Sequence, residues 1–99
     1  MNFEVIATEP FARKLKRLAR KYKSLKSDLL KLVEELEKNP ATGDLIGKSC
    51  YKIRLAITSK GKGKSGGGRI ITFVRITKKT VYLIHIYDKA EQSTITDTE

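Results

Sequence analysis

The spacing of hydrophobic residues changes from helical to alternating near residue 50, and this change predicts an α+β fold. Residues 3–7 alternate in polarity, which predicts a short first strand. Two helices follow, the first entered through Thr8 and Pro10, the second capped by Ser27 and ended by Asn39 before a proline. The short break between them predicts an antiparallel helical hairpin. The two apolar stripes are formed by Phe11, Leu15, Leu18, Ala19 and Tyr22 and by Leu29, Leu32, Val33 and Leu36.

Three further strands are predicted in the second half of the chain. Residues 51–57 alternate in polarity, residues 69–77 are rich in β-branched side chains, and residues 80–87 are apolar on both faces, as in a central strand. A Gly/Lys-rich loop at residues 59–68 and a turn at Lys78 and Lys79 separate them, and a polar tail follows. The predicted order is β-α-α-β-β-β in a single domain, residues 1–99. The expected fold is an antiparallel sheet with the helical hairpin packed on one face.

The charge distribution points to a polyanionic partner. The 99 residues carry 21 Lys and Arg against 11 Asp and Glu, a formal net charge of +10. No acidic residue lies between Asp44 and Asp88, a segment with ten basic residues. Such a surface attracts nucleic acid through counterion release. No apolar run is long enough to span a bilayer and no signal peptide is evident, so the cytoplasm is the expected compartment.

The candidate site residues lie on the predicted strands and in the loop between them. Lys52 and Arg54 project from the same side of one strand, and Arg69 opens the next. Tyr87 and Lys89, at the end of the last strand, are expected to cluster with Arg69. The alternative for the first pair is an ordinary solvated strand face. The loop lysines, which are expected to contact a phosphate backbone unless the loop is merely a mobile linker, are Lys60, Lys62 and Lys64.

The residue types available restrict the chemistry. A metal nuclease needs several carboxylates, and the basic segment has none, so neither a metal nor another cofactor is expected. His85 is the only histidine, which excludes a paired-histidine ribonuclease and favours a structural role for this residue. Lys, Arg and Tyr remain, and neighbouring cations are expected to lower the pKa of a Lys or Tyr among them. Such a site could cut RNA, which supplies its own 2′-hydroxyl nucleophile, but not DNA.

Four segments together resemble a known family: residues 11–18, 50–55, 68–71 and 86–91. Their order and spacing are similar to those of the RelE/ParE superfamily of toxins from bacterial type II toxin–antitoxin modules. The loop before Arg69 is most similar to the HigB-type branch. The resemblance implies a microbial-RNase-like fold and cleavage of mRNA on the ribosome, which inhibits translation. It also implies neutralisation by an antitoxin from the adjacent gene.

The resemblance also suggests roles for individual residues and leaves two other functions open. Lys52, Arg54 and Arg69 match basic positions of the RelE-type ribonucleases. Lys89 stands where that family has an arginine, and no tyrosine follows Tyr87, so either residue could supply the acid or base. ParE-type toxins share the fold but inhibit DNA gyrase without being enzymes. A non-catalytic RNA- or ribosome-binding module is the third possibility.

Overall fold

Two helices pack on one face of a five-stranded sheet, which confirms the predicted α+β class. The computed structural model describes residues 2–61, 63 and 66–91. The elements are β1 (Glu4–Ala7), α1 (Glu9–Lys21), α2 (Leu25–Lys38), β2 (Asp44–Gly47), β3 (Cys50–Leu55), β4 (Gly68–Arg75) and β5 (Thr80–Asp88). Short 3-10 turns at Thr58–Lys60 and Ile76–Lys78 follow β3 and β4.

The sheet differs from the predicted one in two respects. Its strand order is β1-β5-β4-β3-β2, and β2 is an additional edge strand paired antiparallel to β3. Moreover, β1 pairs with β5 in parallel, so the sheet is mixed rather than antiparallel. Alternating polarity shows that a segment is a strand but carries no information about its direction. β2 escaped prediction because four residues, three of them exposed, show no alternation.

The core lies between the helices and the sheet. Phe11 and Leu18 of α1 are buried there, and α2 contributes four leucines. Opposite them lie Ile53 and Leu55 of β3 with apolar residues of β4 and β5. A buried aliphatic side chain contributes about 1.5–3 kcal/mol relative to an exposed one, so this layer fixes which sheet face the helices cover. The buried residues of α2, β4 and β5 in the core are Leu25, Leu29, Leu32, Leu36, Ile70, Val74, Val81, Leu83 and Ile86.

The helix starts differ from the predicted caps. Thr8 occupies the N-cap position of α1, but its hydroxyl donates to the Leu83 carbonyl at 2.9 Å instead of capping the helix. Ser27 was wrongly predicted as the cap of α2, which begins at Leu25 after Ser24. The Ser24 hydroxyl donates to the Asp28 carboxylate at 2.7 Å, while that of Ser27 donates to the Ser24 carbonyl.

A β-bulge in β5 decides which side chains leave the core. Ile71 of β4 lies opposite His85, but the next residue, Thr72, lies opposite Leu83, so Ile84 is the extra residue. A bulge shifts the alternation of a strand by one position. Leu83 before it and Ile86 after it therefore both reach the core.

Candidate active site on the far face of the sheet

The far face is the sheet surface turned away from α1 and α2. Ile53 and Leu55 of β3 point into the core. Lys52 and Arg54 alternate with them along the strand, so both point to the far face. Residues directly opposite each other on adjacent strands share a face. The far face of β3–β5 is thus formed by Lys52, Arg54, Arg69, Ile71, Phe73, Tyr82, His85 and Tyr87.

Arg54, Arg69 and Tyr87 form one row across three strands. Arg54 lies opposite Arg69, and Arg69 lies opposite Tyr87. Directly opposed residues have Cβ atoms about 4.5–5.5 Å apart, and like charges at that distance destabilise a sheet. Arg54 is exposed, whereas only 6 % of Arg69 is exposed, and each guanidinium presents several donors in a fixed plane. Arg69 also donates to the Gly68 carbonyl at 2.9 Å, which orients its side chain.

Tyr87 is a buried phenol, and its protonation differs from the expectation. Only 1 % of the residue is exposed. Burial raises the pKa of Tyr87 above 10.0, while the charge of Arg69 acts in the opposite direction without overcoming it. The predicted lowering of a tyrosine pKa by neighbouring cations is therefore wrong at this position. Near neutral pH, Tyr87 carries its proton and can donate it.

A second row contains Lys52, Ile71 and His85, for which the sequence favoured a structural role. His85 is half-buried on the far face, with its ring centroid 5.7 Å from that of Tyr87. Asp44 of β2 lies opposite Lys52, so this row does include a carboxylate that the sequence did not place on the sheet. The bulge at Ile84 is what turns His85 to the same face as Tyr82.

Lys89 lies at the same end of the sheet as the arginine row. Its backbone N–H donates to the Gly67 carbonyl at 3.1 Å, two residues before Arg69. The structure thus brings Arg69, Tyr87 and Lys89 to one end, as the strand order predicted.

Lys60 occupies a different environment from the one predicted. Its ammonium lies 2.7 Å from a carboxylate oxygen of the fully buried Asp88, and only 9 % of its side chain is exposed. The hydroxyl of Tyr22 donates to the same carboxylate, and the Ala90 N–H donates at 3.0 Å. Burial opposes the charge of Asp88, but the hydrogen bonds from Lys60 and Tyr22 lower its pKa to about 2. Lys60 therefore neutralises Asp88 in the free chain, while Lys62 and Lys64 lie outside the described residues.

A family model and several solved structures match this chain. Residues 11–99 match the family model described as the RelE toxin of the RelE/RelB toxin–antitoxin system. This chain belongs to the RelE toxin family. A solved structure of a variant Escherichia coli RelE toxin in the free state superposes with a TM-score of 0.67 and 21 % identity, over 94 % of this chain and 90 % of that one.

Two toxin–antitoxin complexes also show the fold of this RelE-family chain. The intact Escherichia coli RelBE complex matches with a TM-score of 0.67 and 21 % identity, covering 87 % of this chain and 95 % of that one. The RelBE2 complex of Mycobacterium tuberculosis gives 0.66 and 15 % identity, covering 89 % and 99 %. None of the helices in the described ranges is long and apolar enough to cross a membrane.

A cavity between α2 and β3 is bordered by side chains of both charges in this RelE-family chain. It has a volume of about 640 Å³, and its lining includes the carboxylates of Asp28, Glu35 and Asp44. Its lining also includes Lys31 and two of the candidate site residues, Lys52 and Arg54. Within residues 2–61, 63 and 66–91, no group of three or more His, Cys, Asp or Glu side chains could hold a metal ion.

Proposed function

We propose that this RelE-family toxin is a metal-independent mRNA endoribonuclease that acts on translated mRNA at the ribosome. The observation that carries the proposal is the pairing of Arg54 with Arg69 beside the protonated Tyr87. Two guanidinium groups on directly opposed residues concentrate positive charge at one point of the far face. A phosphate that gains negative charge in the transition state is stabilised by such charge.

The reaction would use the 2′-hydroxyl of RNA as the nucleophile. Its oxygen attacks the adjacent phosphorus, the bond from phosphorus to the 5′-oxygen breaks, and the products are a 2′,3′-cyclic phosphate and a 5′-hydroxyl. Arg54 and Arg69 stabilise the pentavalent phosphorane, and Lys52 and Lys89 add positive charge at its edges. Tyr87, of which 1 % is exposed in the free chain, would donate its proton to the leaving 5′-oxygen once RNA binding has exposed its hydroxyl. His85, next to Tyr87, accepts the proton of the 2′-hydroxyl, a task for which imidazole is well suited.

Cleavage by the purified protein tests this proposal. Primer extension on mRNA with ribosomes is expected to show discrete cuts, and a 2′-deoxy nucleotide at the cut position is expected to prevent them. Arg69→Gln should lower the cleavage rate about 10²–10³-fold, the usual loss for one transition-state donor. Tyr87→Phe should lower it by about 10²-fold or more. Arg75→Gln, an exposed arginine on the same strand, is the matched control and should retain the wild-type rate.

The results that would refute the ribonuclease are equally specific. Intact mRNA in the presence of ribosomes, together with growth arrest by Arg69→Gln, would contradict it. DNA damage on expression, with mRNA left whole, would instead indicate gyrase inhibition.

We infer in addition that an acidic antitoxin from the adjacent gene binds this toxin in the cytoplasm. Membership of the RelE family and the resemblance to the RelBE complexes support a cognate antitoxin. An acidic segment placed over Arg54 and Arg69 would prevent RNA from reaching them. The complex is therefore expected to lose RNA affinity, and an unchanged affinity would exclude occlusion of the far face.

A further inference from the structure

The arginine row lies one residue pair from the end of the sheet. Gly68 lies opposite Asp88 at the last pair of β4 and β5, and Arg69 lies opposite Tyr87 at the next pair inward. A strand pair at the end of a sheet opens more readily than one in the middle. The residues that would hold a reacting phosphate therefore lie where the sheet by itself is least ordered.

Asp88 fastens this end of the sheet from the helix side. Neighbouring residues of a strand point to opposite faces, so Asp88 points to the helices while Tyr87 points to the far face. The buried Asp88 carboxylate accepts hydrogen bonds from the Lys60 ammonium at 2.7 Å and from the Tyr22 hydroxyl. The Ala90 N–H donates to it as well, at 3.0 Å. One carboxylate thus joins the end of β5 to the end of α1 and to the turn after β3.

Asp88 and its neighbour also hold both ends of the Gly/Lys-rich loop. Lys60 lies near the start of the loop, and Gly67 near its end accepts the Lys89 N–H at 3.1 Å. The Glu91 N–H donates to the Asp88 carbonyl at 3.0 Å, which closes the backbone around Lys89 into a turn. The start of β4 is therefore held between two segments that both lead to Asp88.

Tyr22, Lys60 and Asp88 form a cluster that we name the Asp88 clamp. We propose that Asp88, through this clamp, is a positioning residue that holds Arg69 and Tyr87 in the geometry needed for cleavage. The inference rests on the proposed ribonuclease, since it gives Asp88 a part in that reaction without contact to RNA. A displacement of about 1 Å in a catalytic group can lower a rate about 10²-fold, so a clamp that keeps the sheet end closed can determine the rate.

Stability alone does not account for a buried ion pair at this place. Apolar residues of similar volume often replace such a pair without loss of stability. Hydrogen bonds to an ionised carboxylate, however, are short and directional, whereas apolar contacts are not. The Asp88 clamp lies directly behind the pair of Arg69 and Tyr87, where the direction of a side chain decides whether it reaches the phosphate.

Asp28 offers a matched control, because it fastens the same turn from a different side. The residue is buried, and its carboxylate accepts hydrogen bonds from the Thr58 N–H at 2.8 Å and the Thr58 hydroxyl at 2.7 Å. The Ser24 hydroxyl donates to it at 2.7 Å. These partners belong to the turn after β3 and to the start of α2, not to β4 or β5. Asp28→Asn therefore loosens the turn without opening the Asp88 clamp.

The test compares the double variant Lys60→Met/Asp88→Asn with Asp28→Asn. The double variant removes both charges of the pair, so no unpaired ion is left buried and the chain is expected to fold. Circular dichroism and urea unfolding give the folded fraction of each variant, and the rates are corrected for it. The substrate is mRNA on ribosomes, and kcat and KM are measured separately.

The double variant is expected to lower kcat about 10–10²-fold. It should change KM by less than about threefold, because Lys52 and Arg54 lie on β3, two strands away from β5. Asp28→Asn should keep kcat within about twofold of the wild-type value. Equal losses of kcat in the two variants would overturn the proposal, since they would reflect a general loosening of the turn.

Tyr22→Phe tests the same role with a smaller change. It removes one hydrogen-bond donor to Asp88 and keeps the ion pair with Lys60. We expect kcat to fall about threefold to tenfold, so the proposal can be judged even if the double variant fails to fold. A wild-type kcat in Tyr22→Phe together with a wild-type kcat in any folded clamp variant would refute the positioning role.

Hydrogen exchange of the Lys89 amide separates failure of this inference from failure of the ribonuclease. The bond from this N–H to the Gly67 carbonyl reports opening of the sheet end and requires no RNA. The double variant should accelerate the exchange at least about tenfold more than Asp28→Asn. Faster exchange in a toxin whose wild-type form leaves mRNA intact would support the clamp and refute the ribonuclease. Specific cleavage with an unchanged kcat in the double variant would support the ribonuclease and refute the positioning role.

Discussion

Replacement of Lys60 by methionine removes one half of a buried ion pair and leaves the other half in place. The Asp88 carboxylate is fully buried and lies 2.7 Å from the Lys60 ammonium. Methionine keeps a similar length and apolar volume, so packing is largely preserved. The change therefore isolates the charge. An exposed phosphate-binding lysine, as the loop sequence suggested for Lys60, would tolerate the same substitution without loss of stability.

The expected loss of folding free energy depends on the cost of burying Asp88 without the Lys60 ammonium. Removal of one member of a buried pair typically costs about 3–5 kcal/mol. This cost has an upper limit, because Asp88 can take up a proton instead of staying charged. Protonating a carboxyl of ordinary pKa 3.8 at pH 7 costs about 4 kcal/mol at 1.36 kcal/mol per pH unit. We expect a loss of about 3–4 kcal/mol at pH 7, a large share of the roughly 5–15 kcal/mol that stabilises a typical domain.

Urea unfolding followed by circular dichroism measures this loss. Lys78→Met, at an exposed lysine, is the matched control and should change the free energy of unfolding by less than about 0.5 kcal/mol. The double variant Lys60→Met/Asp88→Asn should recover stability relative to Lys60→Met, because no buried charge is left. At pH 5 the penalty of Lys60→Met should be smaller by about 2 kcal/mol or more, since protonating Asp88 is then easier. A Lys60→Met variant as stable as Lys78→Met would refute the buried-pair reasoning.

Two further predictions concern the same end of the sheet. The pKa of Asp88, lowered from 3.8 to about 2, stabilises the fold above pH 4 and loses this effect as the pH falls through 2. The free energy of unfolding should therefore fall by about 2 kcal/mol between pH 5 and pH 2 through this group, and acid titration of Asp88→Asn should lack that component. Gly67→Ala would place a Cβ 2.1 Å from the Leu55 carbonyl oxygen, so it should cost about 1–3 kcal/mol in urea unfolding and slow cleavage by displacing Arg69. Gly47→Ala, with no atom within 4 Å of the new Cβ, is its control, and equal effects of the two alanines would contradict this steric argument.

Most of the elements of the fold could be predicted because each follows a strong local pattern. The stripes of α1 and α2 and the alternation of β3 correctly identified Phe11, Leu18, Ile53 and Leu55 as core residues. The same alternation placed Arg54 on the opposite face. The pairing of β1 with β5 could not be predicted in the same way, because strand direction depends on long-range contacts and not on local polarity.

The β5 bulge is a feature that the local pattern did not reveal. Residues 80–87 seemed apolar on both faces, which suggested a central strand and a structural His85. Val81, Leu83 and Ile86 in fact share one face, and the change from odd to even positions is the signal of an inserted residue at Ile84. With that change recognised, His85 could have been placed beside Tyr87 from the sequence.

The protonation of Tyr87 required the structure, because two opposing effects had to be compared. Nearby cations lower a phenol pKa, and the sequence showed only the cations. Burial disfavours the phenolate, and in the folded chain its effect exceeds that of Arg69. The proposed ribonuclease therefore uses Tyr87 as the proton donor to the leaving oxygen and needs a separate proton acceptor. The proposal gives that role to His85, whose ring centroid lies 5.7 Å from that of Tyr87.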